Sequence, residues 1–253
     1  MSVEYQPFSI NEYPQPPLDL KEKVDQMESI IRFVDSRYPD GVFNDNDKLH
    51  TQRLVAIADL ETIRGVDEFR LARELWVHDI PELITGDIVS PTKDLREKSG
   101  DTTFIDEEDS AAQEILSPDD LKLYRDFVLS GNFLKGKTDD ISGISAEGLI
   151  AFVIDKIDGN MYFHYFLAAW FANDNGEPKD ASEASLIYCF NQRNMFKKAL
   201  VKAEDKFSEA VETCMSLLDY QIGFIVDAWN KVSPSNRPDV INQEFEALEN
   251  QSL

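Results

Sequence analysis

Residues 74–88, ELWVHDIPELITGDI, hold the one His-Asp dipeptide of the chain. Upstream, Asp67 is placed as an N-cap, and Leu71, Leu75 and His78 follow at i, i+4 and i+7. That spacing predicts a helix from Glu68 to about His78 with these three residues on its inner face. Consecutive helical residues point about 100° apart, so His78 and Asp79 diverge on a regular helix and converge on one ion only at a helix end. His78 and Glu82 stand at i and i+4 and share a face. Gly86 ends the turn and lets the backbone bring Asp87 back toward the same pocket.

Outward from this stretch the periodicity stays helical. Residues 1–17 contain four prolines and read as an extended arm. A helix is expected from Leu18 to the stop at Tyr38-Pro39-Asp40-Gly41, and a second over His50–Ile63, with Leu54, Ile57, Ala58 and Leu60 as its stripe. Beyond Ile88, the segment VSPTKD and the acidic stretch 97–109 read as loops. Helices are expected over Ser110–Leu116, Ser117–Leu129, Ser145–Ala172, Ala181–Glu204 and Phe207–Val232. Ser117 is an N-cap with Pro118 at N1. A short helix near Glu244–Glu249 belongs to a tail, 233–253. No alternating run makes a convincing strand. The reading is all-α: one helical domain over 18–232 of about eight helices.

Composition narrows the function. Lys and Arg total 25 against 48 Asp and Glu, a formal charge of −23. A far field of that sign repels polyanions, which argues against nucleic acid and anionic membrane as partners. Cys189 and Cys214 form no CxxC, so buried thiols are expected rather than a thiolate zinc site. The first residues show no signal peptide. The longest apolar run, Phe163–Ala172, is about half the ~20 residues a membrane span requires. A cytoplasmic location is therefore expected. The aromatic cluster Tyr162, Phe163, Tyr165, Phe166, Trp170 and Phe171 reads as core or as the interface of a homodimer, and His164 as a core histidine.

Asp155 follows Ala151-Phe152-Val153-Ile154, and a carboxylate in such surroundings calls for a metal or a cationic partner. Asp158, three residues on, shares its face. The string HDIPELITGD resembles the central signature HDxxExxxGD of HD-domain phosphohydrolases, in particular the bacterial 5′-deoxynucleotidase branch. Arg37-Tyr38-Pro39 resembles that family's Arg-aromatic-Pro element, and Ser90-Pro91-Thr92-Lys93 the stretch after its Gly-Asp pair. EEDSAAQEILSPDDL resembles the mid-chain helix pair, so the likeness spans about residues 25–175.

The resemblance implies an all-helical fold holding one divalent metal. Its ligands would be a first His, here His50, the pair His78 and Asp79, and a late Asp, here Asp155. Arg37 and Lys93 would contact the substrate phosphate, and Tyr38 would lie against the nucleoside. Two imidazoles and two carboxylates suit Mn²⁺, Co²⁺, Fe²⁺ or Zn²⁺. Glu82 and Asp87 are the candidates for proton transfer and water positioning. The function implied is hydrolysis of (deoxy)nucleoside 5′-monophosphates to nucleoside and phosphate. Alternatives are triphosphohydrolase action on a dNTP and a non-catalytic metal- or nucleotide-binding module. The module stays open because Leu49 stands where the family often has Glu.

Overall fold

The computed structural model describes residues 13–33, 45–59, 63–88, 90–172, 179–233, 237–241 and 243. Its elements are α1 (Lys21–Gln26), continued by a 3-10 turn over Met27–Ser29, α2 (Asp47–Ala58), α3 (Glu68–Val77), α4 (Glu82–Thr85), α5 (Ser90–Lys98), α6 (Thr103–Ile115), α7 (Pro118–Leu134), α8 (Ala146–Ala172) and α9 (Lys179–Asn230). Among the described residues there is no strand, only an isolated bridge between Ile31 and Asn46. The all-α expectation holds.

A helix that is apolar all round must be surrounded, and α8 is. Leu149, Ile150, Ala151, Val153, Ile154 and Ile157 are all fully buried. Helices α2, α3, α7 and α9 pack around it. Each large aliphatic side chain buried there contributes about 1.5–3 kcal/mol. Polar residues of α2 and α8, His50, Arg53, Asp155 and Asp158, are buried in the same place, because these two helices face each other across the centre described below. In the aromatic cluster, Tyr162 and Phe171 are core residues, and the other four pack half-buried against it. Cys189 and Cys214 are buried free thiols. No helix among the described residues is long and apolar enough to cross a membrane.

Local signals account for several boundaries. Asp67 Oδ1 accepts from the Phe69 and Arg70 amides and starts α3. Ser117 accepts from the Asp120 amide with Pro118 at N1 and starts α7. Gly86, at φ +74°, ends α4. Non-helical angles at Phe207 interrupt α9 where the two expected helices meet.

Three expectations are corrected. The first helix does not run from Leu18 to Tyr38. It ends by Ser29, and Ile30 is extended. Arg32 and Ile30 pair by backbone hydrogen bonds with Asp45 and Asp47, and Phe33 takes φ +57°. Nor is the SPTK segment a loop, since it forms the first turn of α5. Most of the acidic stretch 97–109 is also helical, lying in α6. Phe104, Ala111 and Ala112 are buried there at i, i+7 and i+8, while Lys93 pairs with Glu108 and Arg125 with Asp109. Its charge density masked an amphipathic helix, two of whose acids, Glu108 and Asp109, are paired. The expected helix at Glu244–Glu249 lies outside the described residues.

Candidate metal centre

Three separate elements deliver the side chains. Asn46 caps α2 by accepting from the Leu49 amide, which sets His50 and Arg53 one turn apart on the buried side. The end of α3 supplies His78 and Asp79 through the turn that leads into α4. The buried middle of α8 supplies Asp155 and Asp158.

Nε2 of His50 lies 3.1 Å from Asp155 Oδ1 and 3.9 Å from Asp79 Oδ2. Nε2 of His78 lies 3.0 Å from the same Asp79 oxygen, at an angle that makes no hydrogen bond. Donor atoms of His50, His78 and Asp155 sit within 4.8 Å of one another, and so do those of Asp47, Asp79 and Glu82. The two rings are 5.8 Å apart, and Phe127 packs on His78 at 5.0 Å.

A surrounding layer orients both imidazoles. Nδ1 of His50 donates to Asp158 Oδ2 at 2.9 Å, and Nδ1 of His78 donates to the Leu75 carbonyl at 2.8 Å. Each ring therefore turns Nε2 toward the centre, as second-layer partners do for ligating histidines. Asp158 is itself gripped by Arg53, whose other side is bidentate to Asp45 at 2.7 and 2.8 Å. Arg32 reaches in from the segment after the Met27–Ser29 turn and contacts Asp47 at 3.1 Å and Asp79 at 3.3 Å. Lys156 pairs with Asp155 at 2.7 Å.

The charges act on one another strongly. Burial opposes ionisation of Asp79, but His78 and then Arg32 hold its carboxyl well below the usual carboxylate range. Burial likewise opposes ionisation of Asp155, and Lys156 and His50 overcome it. The reverse holds at Asp47, where burial and the Asp79 charge push the carboxyl up to about 6 against Arg32. Glu82 is raised far more, by burial and by Asp79. His164 lies apart from this chemistry; burial takes it down to about 3, a neutral core histidine as expected.

A cavity of about 1150 Å³ opens beside the cluster, and His78, Asp79, Glu82, Asp87 and Asp155 line it. Of the residues expected from sequence, His50, His78, Asp79, Asp155 and Glu82 come together. Asp87 and Lys93 line the same cavity, with Lys93 Nζ 3.7 Å from Glu82 and 2.7 Å from Glu108. Arg37 and Tyr38 lie outside the described residues. Sequence reasoning missed Asp47, although it precedes His50 by three residues and so shares its helical face. It also missed Arg32, Arg53 and Asp45. Asp158, on the same face of its helix as Asp155, holds the far nitrogen of His50.

No family model matches the sequence, and no curated protein sequence matches it. Among solved structures, that of a predicted metal-dependent phosphohydrolase from Magnetospirillum magnetotacticum MS-1 is similar. It is 17% identical with a TM-score of 0.47, covering 85% of this chain and 96% of that one. At that identity and score, the chemistry has to be argued from the residues themselves.

Proposed function

We propose that this chain is a metal-dependent phosphohydrolase of the HD type, specifically a 5′-nucleotidase acting on (deoxy)nucleoside 5′-monophosphates. One observation carries the reading. His50, His78 and Asp155, drawn from α2, the end of α3 and α8, bring their donor atoms within 4.8 Å, and Asp79 reaches both imidazoles. The resemblance singles out those same four residues.

The donor set fits a divalent ion. Nε2 of His78, one oxygen of Asp47 and one of Glu82 are buried without a hydrogen-bond partner. Where one proton bridges His50 and Asp155, a cation can take its place. His50, His78, Asp79 and Asp155 would hold it, a mixed nitrogen and oxygen set suited to Mn²⁺, Co²⁺, Fe²⁺ or Zn²⁺. When bound, such an ion neutralises phosphoryl oxygens and lowers the pKa of water.

The chain's own groups do the rest. Lys93 stands close enough to Glu82 to meet a phosphate oxygen over the same spot. Glu82 and Asp87 flank the His-Asp pair, and to them we assign proton transfer to the departing sugar 5′-oxygen and the positioning of water. Phe127, Phe152 and Phe163 line the cavity as apolar surface for a nucleoside.

The test is phosphate release by stripped protein re-loaded with Mn²⁺ or Co²⁺, across dNMPs, NMPs and dNTPs. Orthophosphate from monophosphates, abolished by Asp79→Ala and by Glu82→Ala, is the expected result. Tripolyphosphate from dNTPs alone would replace this reading with a triphosphohydrolase. No release from any nucleotide would overturn it.

A further inference from the structure

The cavity is larger than one nucleoside monophosphate requires. Its volume of about 1150 Å³ exceeds the roughly 300–1000 Å³ usual for small-molecule sites. Lys135, Lys137 and Lys156 also line it, and the mechanism above uses none of them. Lys137 is matched by Glu97 at 2.6 Å and Lys156 by Asp155 at 2.7 Å.

Lys135 is different. It sits at the C-cap of α7, with a side chain only 16% exposed, and its nearest carboxylate, Asp94, stands 3.8 Å away. Asp94 is already engaged, accepting from the Tyr188 hydroxyl at 2.8 Å. The Lys135 ammonium thus has no hydrogen-bond acceptor among the described residues. It flanks the Phe152 ring at 5.9 Å from the centroid, and Lys156 flanks the same ring at 5.2 Å. Burial and then Lys156 push Lys135 down to about 8, with Lys137 adding to this and Asp94 and Glu97 opposing it. Positive charge here is under-compensated, in a chain whose net charge is −23.

We infer that Lys135 is a second phosphate-binding point in this cavity, serving a nucleotide that carries a phosphate besides the one cleaved. An ammonium without an acceptor, lining a roomy cavity, is what a phosphate oxygen satisfies by a charge-assisted hydrogen bond. The inference rests on the phosphohydrolase reading for the identity of the cleaved phosphate, and on Lys135 alone for the second.

Binding to the full-length metal-loaded protein tests it. The probes are adenosine 3′,5′-bisphosphate, adenosine 5′-triphosphate, and adenosine 5′-monophosphate with and without free orthophosphate. Wild type should bind the bisphosphate or the triphosphate about tenfold or more tighter than the monophosphate, the size of one charged hydrogen bond. Whichever of the two is preferred locates the second phosphate on the sugar or on the 5′ chain. Lys135→Met should abolish the preference and Lys135→Arg should keep it. Lys135→Gln serves if the Met variant misfolds.

No preference in wild type, or a preference kept by both neutral variants, overturns the inference. If free orthophosphate tightens monophosphate binding while neither polyphosphate is preferred, the assignment to the substrate is overturned. Because the readout is binding, a protein that hydrolyses nothing defeats the functional reading and leaves this comparison intact.

Discussion

Glu74 offers a test of the core that is independent of any ligand. It sits on the inner face of α3, fully buried, and neither carboxyl oxygen has a hydrogen-bond partner. The nearby cation, Arg70, is engaged by Asp126 at 2.5 Å and lies 3.7 Å from Glu147. Burial and then the Asp126 charge push Glu74 well above its ordinary 4.5 against the pull of Arg70, with Glu147 adding a little.

Replacing it by Met keeps the length and removes the unpaired oxygens. An unpaired buried polar group costs about 1–3 kcal/mol, and a volume-conserving swap costs less than about 1.5. The variant should therefore gain about 1 kcal/mol or somewhat more even at acid pH. In a chain of this size that raises Tm by about 2–4 °C per kcal/mol.

The sign of the pH dependence follows from the direction of the shift. A carboxyl with a raised folded pKa contributes its full stability below the unfolded value, near 4.5, and loses it as pH climbs toward the folded value. Each pH unit in that window costs the wild type about 1.4 kcal/mol relative to Met. Thermal melts at pH 5 and pH 8 should show the advantage of Glu74→Met widening with pH. Glu74→Gln, which keeps two unpaired polar atoms but cannot ionise, should match wild type at pH 5, gain on it by pH 8, and stay below Glu74→Met at both. If the Met variant melts below wild type at pH 8, or its advantage is the same at both pH values, the reasoning about this carboxyl is wrong.

Two more predictions follow from the packing. Asp158→Asn weakens the acceptor for His50 Nδ1 and for Arg53, and should lower metal affinity about 10- to 100-fold, read by Co²⁺ titration of stripped protein. Gly131→Ala places a methyl group into the Phe152 ring and should cost about 1–3 kcal/mol, read as a lower urea midpoint with an unchanged slope.

What the sequence discloses is local. Asp67, Ser117 and Gly86 act on the backbone within three or four residues, so their effects are readable from the residues alone, and α3, α7 and the end of α4 begin or stop where they indicate. His78, Asp79 and Glu82 are legible for the same reason: one helix end fixes their mutual placement. Arg32 is not legible, because its position depends on an extended segment at Ile30–Arg32 that is held by antiparallel pairing with Asp45 and Asp47. No periodicity within residues 18–33 encodes that partner. The acidic helix α6 fails in another way. Two of its acids, Glu108 and Asp109, pair with Lys93 and Arg125 from other helices, and composition alone cannot report such pairs.

The surrounding layer explains why the centre is built from more acid than its donor set requires. Around the two imidazoles, the carboxylates Asp45, Asp47, Asp79, Glu82, Asp155 and Asp158 face four cations, Arg32, Arg53, Lys93 and Lys156. With both rings neutral, these acids outnumber the cations, and Glu108, 2.7 Å from Lys93, adds to the excess. Buried charge of that size is costly, and it is relieved either by a cation or by protons. Two carboxyls here are pushed up, Asp47 to about 6 and Glu82 further, by burial and by the Asp79 charge. The excess of acid and the reluctance of these two carboxyls therefore have one cause. A divalent ion relieves the same excess, and protons leave as it enters, which is the expected linkage for carboxylate and imidazole ligands. A core meant only to fold would gain stability from apolar residues in these positions. Six buried or half-buried acids gathered from three segments are better explained by a charge they are there to hold.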